Sequence, residues 1–164
     1  MPTPGKQSAP EVKVLLLAAF LLLAGVAVYA LDRGGAAYFF SGWSFGPAAP
    51  AIFGPLGDHL PTFLHPLVFI LITAAVLRPW PRWLPAICAV WFAIECLFEL
   101  GQMVPLAERI AAAVPLWFDG VPVLQNTADY FTRGTFDPLD ILSIGIGTVV
   151  AYPIARRLLK GEQR

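Results

Sequence analysis

The chain has 164 residues, 57% of them hydrophobic and only 13% charged, and its eleven basic and eleven acidic side chains cancel to a formal net charge of +0. Soluble domains carry about a quarter charged residues, so this composition, with a mean hydropathy of +0.68, excludes an ordinary soluble domain and indicates an integral membrane protein. A nucleic-acid partner is excluded on the same grounds, because there is neither a net basic charge nor a lysine- and arginine-rich patch away from the terminal segments.

Four apolar stretches are predicted to be membrane spans. Residues 14–31, VLLLAAFLLLAGVAVYAL, are uncharged and stand behind Lys6 and Lys13. The stretch is too long for the apolar part of a secretory leader and no convincing small-x-small cleavage site follows before Asp32 and Arg33, so a retained anchor is expected. Residues 62–77, TFLHPLVFILITAAVL, form a second span closed by RPWPRW. It is short enough to require bilayer thinning or snorkelling, since a helix needs about 20 residues to cross. The third span, 84–103, is apolar except for Glu95, Glu99 and Gln102, and the fourth, 138–155, is stopped by Arg156 and Arg157. Cys88 and Cys96 lie in the third span, roughly 12 Å apart on a helix rising about 1.5 Å per residue, and cannot bridge each other.

Orientation follows from the basic residues. Lys6 and Lys13 precede the first span, Arg78 and Arg82 join the second to the third, and Arg156, Arg157, Lys160 and Arg164 follow the fourth. The positive-inside rule then puts both termini in the cytoplasm, with 1–12 as an N-terminal tail, 13–156 as a single membrane domain and 157–164 as a basic tail. The loops 32–60 and 104–137 face outward. The first is rich in glycine, proline and aromatics and is expected to lie at the membrane interface; the second is expected to hold a short helix at LAERIAAAV and a turn at NTADYF.

With that orientation, the outer ends of spans two, three and four share one level. A period of 3.6 puts Asp58, Thr62, His65 and Phe69 on one face of the second span if its helix begins early enough. The same count aligns Cys88, Phe92, Glu95, Glu99 and Gln102 on the third, and Asp140 with Gly147 on the fourth, Asp137 lying one turn above Asp140. Glu99 falls about 5 Å and Glu95 about 10 Å below Gln102. An ionised side chain facing lipid costs about 2.5–3.5 kcal/mol, against about 0.5 gained per leucine, so these acids are expected to face the bundle or a cleft. The carboxylates are expected to be neutral in part or compensated by Arg133, His65 or a bound cation. Ser143, Gly147, Ala151 and Ala155 form a small-xxx-small seam on the fourth span, which brings helix backbones close in lipid.

Simpler roles compete with a site. Asp137 at the N-cap, Pro138 at the first helical position and Asp140 at the third make a helix start signal. Glu95, Glu99 and His65 have the alternative of plain contacts between helices. His59, Glu108, Asp119 and Asp129 are expected to be solvated loop residues. No soluble-enzyme motif is present, the GIG at 145–147 lies inside a span, and no metal-ligand spacing links His65 with Glu99 and Asp140, so neither a cofactor nor a metal is expected.

E-L-G-Q at 99–102, R-G-T-F-D-P-L-D-I-L at 133–142, the glycine seven residues after Asp140, and G-D-H-L-P-T-F-L-H-P-L-V-F at 57–69 resemble the signature of VanZ-like membrane proteins. That family has a Glu-x-x-Gln at the end of one span, an arginine, and an Asp-Ile-Leu opening the last span. Here Ile144 stands where the family has Asn, and the segment from Gln102 to Arg133 is longer. The resemblance implies a bacterial cell-envelope protein, in some members linked to glycopeptide resistance, and it singles out Glu99, Gln102, Arg133 and Asp140, with Asp58 and His65.

The expected fold is an all-α four-transmembrane-helix bundle with short interfacial helices in the two outer loops, in the bacterial plasma membrane. The expected function is a non-enzymatic one, an outward-facing polar site formed by Glu99, Gln102, Arg133, Asp140, His65, Asp58, Glu95 and Asp137. It would bind a lipid or envelope-precursor head group, or a cation, with Arg133 meeting anionic groups. The alternative is an accessory subunit of a larger membrane complex docking through 32–60 and 104–137, its acids structural. An intramembrane hydrolase or transferase using Glu99 and Asp140 as acid and base lacks a nucleophile.

Overall fold

The computed structural model describes residues 10–32, 52–77 and 81–160, and among these the chain is helical, with no strand. The helices are α1 (Pro10–Asp32), α2 (Pro55–Leu77), α3 (Leu84–Leu100), α4 (Val104–Ala113), α5 (Thr127–Arg133) and α6 (Pro138–Lys160), with 3-10 turns at Pro81–Trp83, Leu116–Phe118 and Leu124–Asn126. Three of them, over Val12–Asp32, Pro55–Leu77 and Pro138–Arg157, are long and apolar enough to cross a membrane. A fourth crossing is available if α3 and α4, bent by 98° at the break between them, count as one span.

Two boundaries differ from the sequence expectation, both for local reasons. The second span does not begin at 62. Gly54 takes φ +52, a left-handed turn that a side chain would strain, and Pro55 then opens a helix of 23 residues that runs through Pro61 and Pro66. At this length it needs no bilayer thinning. The third span does not reach 103 as straight helix. Its last turn is closed by Gly101 N–H donating to the Leu97 carbonyl at 2.9 Å, Met103 is extended, and the chain turns into α4.

α2 is the central element, packed against α6, α1 and α3. Its buried face, Leu64, Leu67, Val68, Ile70, Leu71 and Ala74, meets Val14 and Ala18 of α1, Leu84 and Cys88 of α3, and Ala151 and Ala155 of α6 in one core. The small residues of α6 explain how close this packing is: a Cβ on Gly147 would collide with the Phe63 carbonyl and lie 3.2 Å from the Pro66 ring. Elsewhere α1 and α3 present large apolar side chains outward, among them Leu16 and Phe20 on α1 and Val90 and Leu97 on α3. Faces of that kind are stable against lipid and costly against water. Both cysteines are free.

The core also fixes which ends lie together. The start of α1, the end of α2, the start of α3 and the end of α6 share it, so Lys13, Arg82, Arg156 and Arg157 gather at one end of the bundle. At the opposite end Asp32, the last residue of α1, accepts hydrogen bonds from the backbone N–H groups of Ile52 and Phe53 at 2.8 and 2.9 Å. This clamp holds the start of α2 beside the end of α1. The part of the 32–60 loop between residues 33 and 51 lies outside the described residues.

Candidate functional site

Among the described residues, most interhelical polar contacts lie at the end of the bundle away from the basic residues. Asp140, in the first turn of α6, is reached from α2 twice. The Nδ1 of His59 lies 2.9 Å from Asp140 Oδ1, and the Thr62 hydroxyl donates to the same oxygen at 2.7 Å. That hydroxyl has one proton, and the His59 carbonyl, 3.0 Å away, competes for it. His59 and Thr62 are three apart, so one helical face delivers both to one carboxylate oxygen.

Glu99 ties the third helix to the same place. Its Oε1 accepts the backbone N–H of Asp137 at 2.9 Å, which is the residue that caps α6: Asp137 Oδ1 accepts the Leu139 N–H at 2.8 Å. Glu99 is only 4% exposed, and no described residue bonds its second oxygen. It also lies in the last turn of α3, where the helix dipole disfavours negative charge, whereas Asp137 and Asp140 stand at the start of α6, where the dipole favours it. Among the described residues no lysine or arginine pairs with Glu99, Asp137 or Asp140.

Placement of the other candidates departs from the sequence reading in three respects. First, His59 is not a solvated loop residue: because α2 begins at Pro55 it is helical, half-buried, and the histidine that meets Asp140. His65, expected at that level, lies two turns deeper, with its Nδ1 3.9 Å from Glu95 Oε2, too far for a hydrogen bond, and its ring 6.0 Å from Phe69. Second, Arg133 does not pair with Glu99, Asp137 or Asp140. It closes α5 and pairs with Asp129 at 3.3 Å, both side chains more than half exposed, an arrangement worth little in stability. Third, Gln102 bonds none of the acids among the described residues, and its Nε2 donates to the Tyr130 hydroxyl at 3.2 Å. Asp58, in the first turn of α2, is exposed, as are Glu108 and Asp119.

Gln102 takes part in a contact that sequence reading did not anticipate. Phe98 stacks on Phe131 with centroids 5.9 Å apart and meets the edge of Tyr130 at 6.0 Å. Gly101 makes room for Phe131, whose ring would collide with a Cβ there. α4 and α5 pack on one another, so this aromatic contact docks the segment after α3 beside the carboxylates. None of the family models, curated proteins or solved structures compared with the chain matches it.

The donor types gathered here also form a set the sequence spacing did not reveal. His59, Asp137 and Asp140, all half-buried, can each direct one ligand atom so that the three lie within 4.8 Å of one another. Where no metal-ligand spacing was expected, the third dimension supplies a set from residues about 80 apart. His65, Glu99 and Asp140, the combination weighed from sequence, is not the set that converges.

Proposed function

We propose that the chain is a four-span α-helical protein of the bacterial plasma membrane, VanZ-like in its motifs, with both termini cytoplasmic and α4 and α5 lying at the outer interface. Its site faces outward at the ends of α2, α3 and α6 and receives a cationic group: a cation, or the amine of a lipid or envelope-precursor head group. The observation that carries this reading is the charge of the cluster. Three carboxylates, one of them buried in a last helical turn with an oxygen unbonded by any described residue, face one imidazole and no described lysine or arginine. A buried carboxylate is held charged by a countercharge, which no described lysine or arginine supplies and a cationic ligand would. An anionic head group bound through Arg133 fits less well, because that guanidinium is exposed on α5 and paired with Asp129.

The segregation of Lys13, Arg82, Arg156 and Arg157 from the carboxylates supports the orientation. A docking role as an accessory subunit is favoured by one observation, the outward display of Leu116 and Trp117 after α4, which equally suits the lipid interface. Native mass spectrometry of the chain released from lipid nanodiscs tests the proposal. A retained cation or amine-headed lipid that disappears in Asp140→Asn supports it; retention of stoichiometric protein partners alone, unaffected by Asp140→Asn, would favour the subunit reading.

A further inference from the structure

We propose that the cation this site takes is a divalent transition metal, held by His59, Asp137 and Asp140; the inference rests on the cation-binding reading above and narrows it. A metal with ligand bonds of about 2.0–2.2 Å holds its ligand atoms no farther apart than about 4.4 Å. The three available atoms already lie within 4.8 Å of one another, so side-chain rotations of about an ångström bring them to the roughly 3.4 Å separations of a tetrahedral site. An imidazole beside two carboxylates is the donor combination of zinc, manganese, cobalt and iron; calcium and magnesium prefer oxygen alone. The imidazole also separates a metal from an ammonium group, to which a neutral ring nitrogen adds little.

Glu99, outside the converging set, adds a second observation. It is 4% exposed, and its second oxygen has no hydrogen-bonding partner among the described residues. Its part is therefore charge and orientation: it fixes the Asp137 backbone through the 2.9 Å hydrogen bond, and a dication on Asp137 and Asp140 provides a positive charge that no described lysine or arginine gives it. Thr62 has a matching role. When His59 turns from Asp140 to the metal, the Thr62 hydroxyl still donates to Asp140 Oδ1 and keeps that carboxylate aimed. Three protein ligands leave a coordination position open to water or to a bound group from outside.

The test uses the full chain in nanodiscs after treatment with a chelator, titrated with Zn²⁺ alone and, separately, with Co²⁺ alone, bound metal being counted by elemental analysis after equilibrium dialysis. One Zn²⁺ per chain is expected, with visible Co²⁺ absorption bands from a nitrogen and oxygen set. His59→Ala and Asp140→Asn should each weaken binding at least about tenfold, while His65→Ala, outside the set, leaves it unchanged. Asp140→Glu, which keeps the charge, and thermal melts of every variant separate loss of a ligand from loss of the fold. Absent or non-stoichiometric binding, or equal binding by wild type and His59→Ala, overturns the inference. If no metal binds but an amine-headed lipid is retained in an Asp140-dependent way, the metal assignment fails and the cation-binding reading stands; if neither binds, both fail.

Discussion

The Nδ1 of His59 and Oδ1 of Asp140 lie 2.9 Å apart although 81 residues separate them in the chain. This contact joins the N-terminal ends of α2 and α6, so it bears on stability as well as on the site. His59→Ala and Asp140→Asn should each destabilise the bundle by about 1–3 kcal/mol, the cost of leaving a partly buried polar partner unmatched. In a double-mutant cycle followed by thermal unfolding in detergent, the coupling should be about 0.5–3 kcal/mol. Additive effects would show that the two side chains do not interact.

Gly147 tests the packing that holds these turns together. A Cβ there would strike the Phe63 carbonyl of α2, which is backbone and has no rotamer to escape into. Gly147→Ala should therefore push α6 from α2 and cost about 1–3 kcal/mol as an overpacked contact. Alanine at Gly145, whose Cβ would meet only the Phe92 ring at 3.8 Å, should be close to neutral in the same melting assay.

The four apolar runs, the acids on one face of the third, and the small residues of the fourth were legible because each is a periodic or compositional signal within one element. The position of His59 was not. The apolar run of the second span opens at Thr62, yet the helix begins at Pro55 and carries Pro61 and Pro66 inside it, which membrane helices tolerate because neighbouring groups satisfy the freed carbonyls. The signal that would have found His59 was present: Gly54 followed by Pro55 is a turn and first-position pair, and His59 and Thr62 are three apart. The pairing of Arg133 with Asp129 was not legible either. The proximity of that arginine to Asp140 in sequence says nothing about the direction of α5, which is set by Phe131 packing on Phe98 and Gly101.

That aromatic contact makes a separate prediction. Phe131 is 8% exposed, and Phe131→Ala should cost about 3–5 kcal/mol in the docking of the segment after α3. Hydrogen exchange should quicken across 104–133 while the core of α2 stays protected. Uniform loss of protection would mean that this segment is not a separable unit.

Tyr130 gives the pH dependence. Burial pushes its phenol up to about 12, against a smaller opposing effect of the Gln102 hydrogen bond. The folded chain thus holds the phenolic proton more tightly than the unfolded chain. Its stabilising contribution is complete below the ordinary value of 10.0 and is lost as pH rises to about 12. Thermal stability should fall more steeply over this interval in wild type than in Tyr130→Phe; identical slopes would place the hydroxyl in water.

The charge of the bound group is the most direct test of the account. Ligand retention by wild type, Asp140→Asn and Arg133→Ala should be compared by native mass spectrometry from the same lipid nanodiscs. A site built from Glu99, Asp137, Asp140 and His59 for a cationic group predicts that Asp140→Asn loses the ligand and Arg133→Ala keeps it. Loss in Arg133→Ala with retention of an anionic species in Asp140→Asn would contradict it.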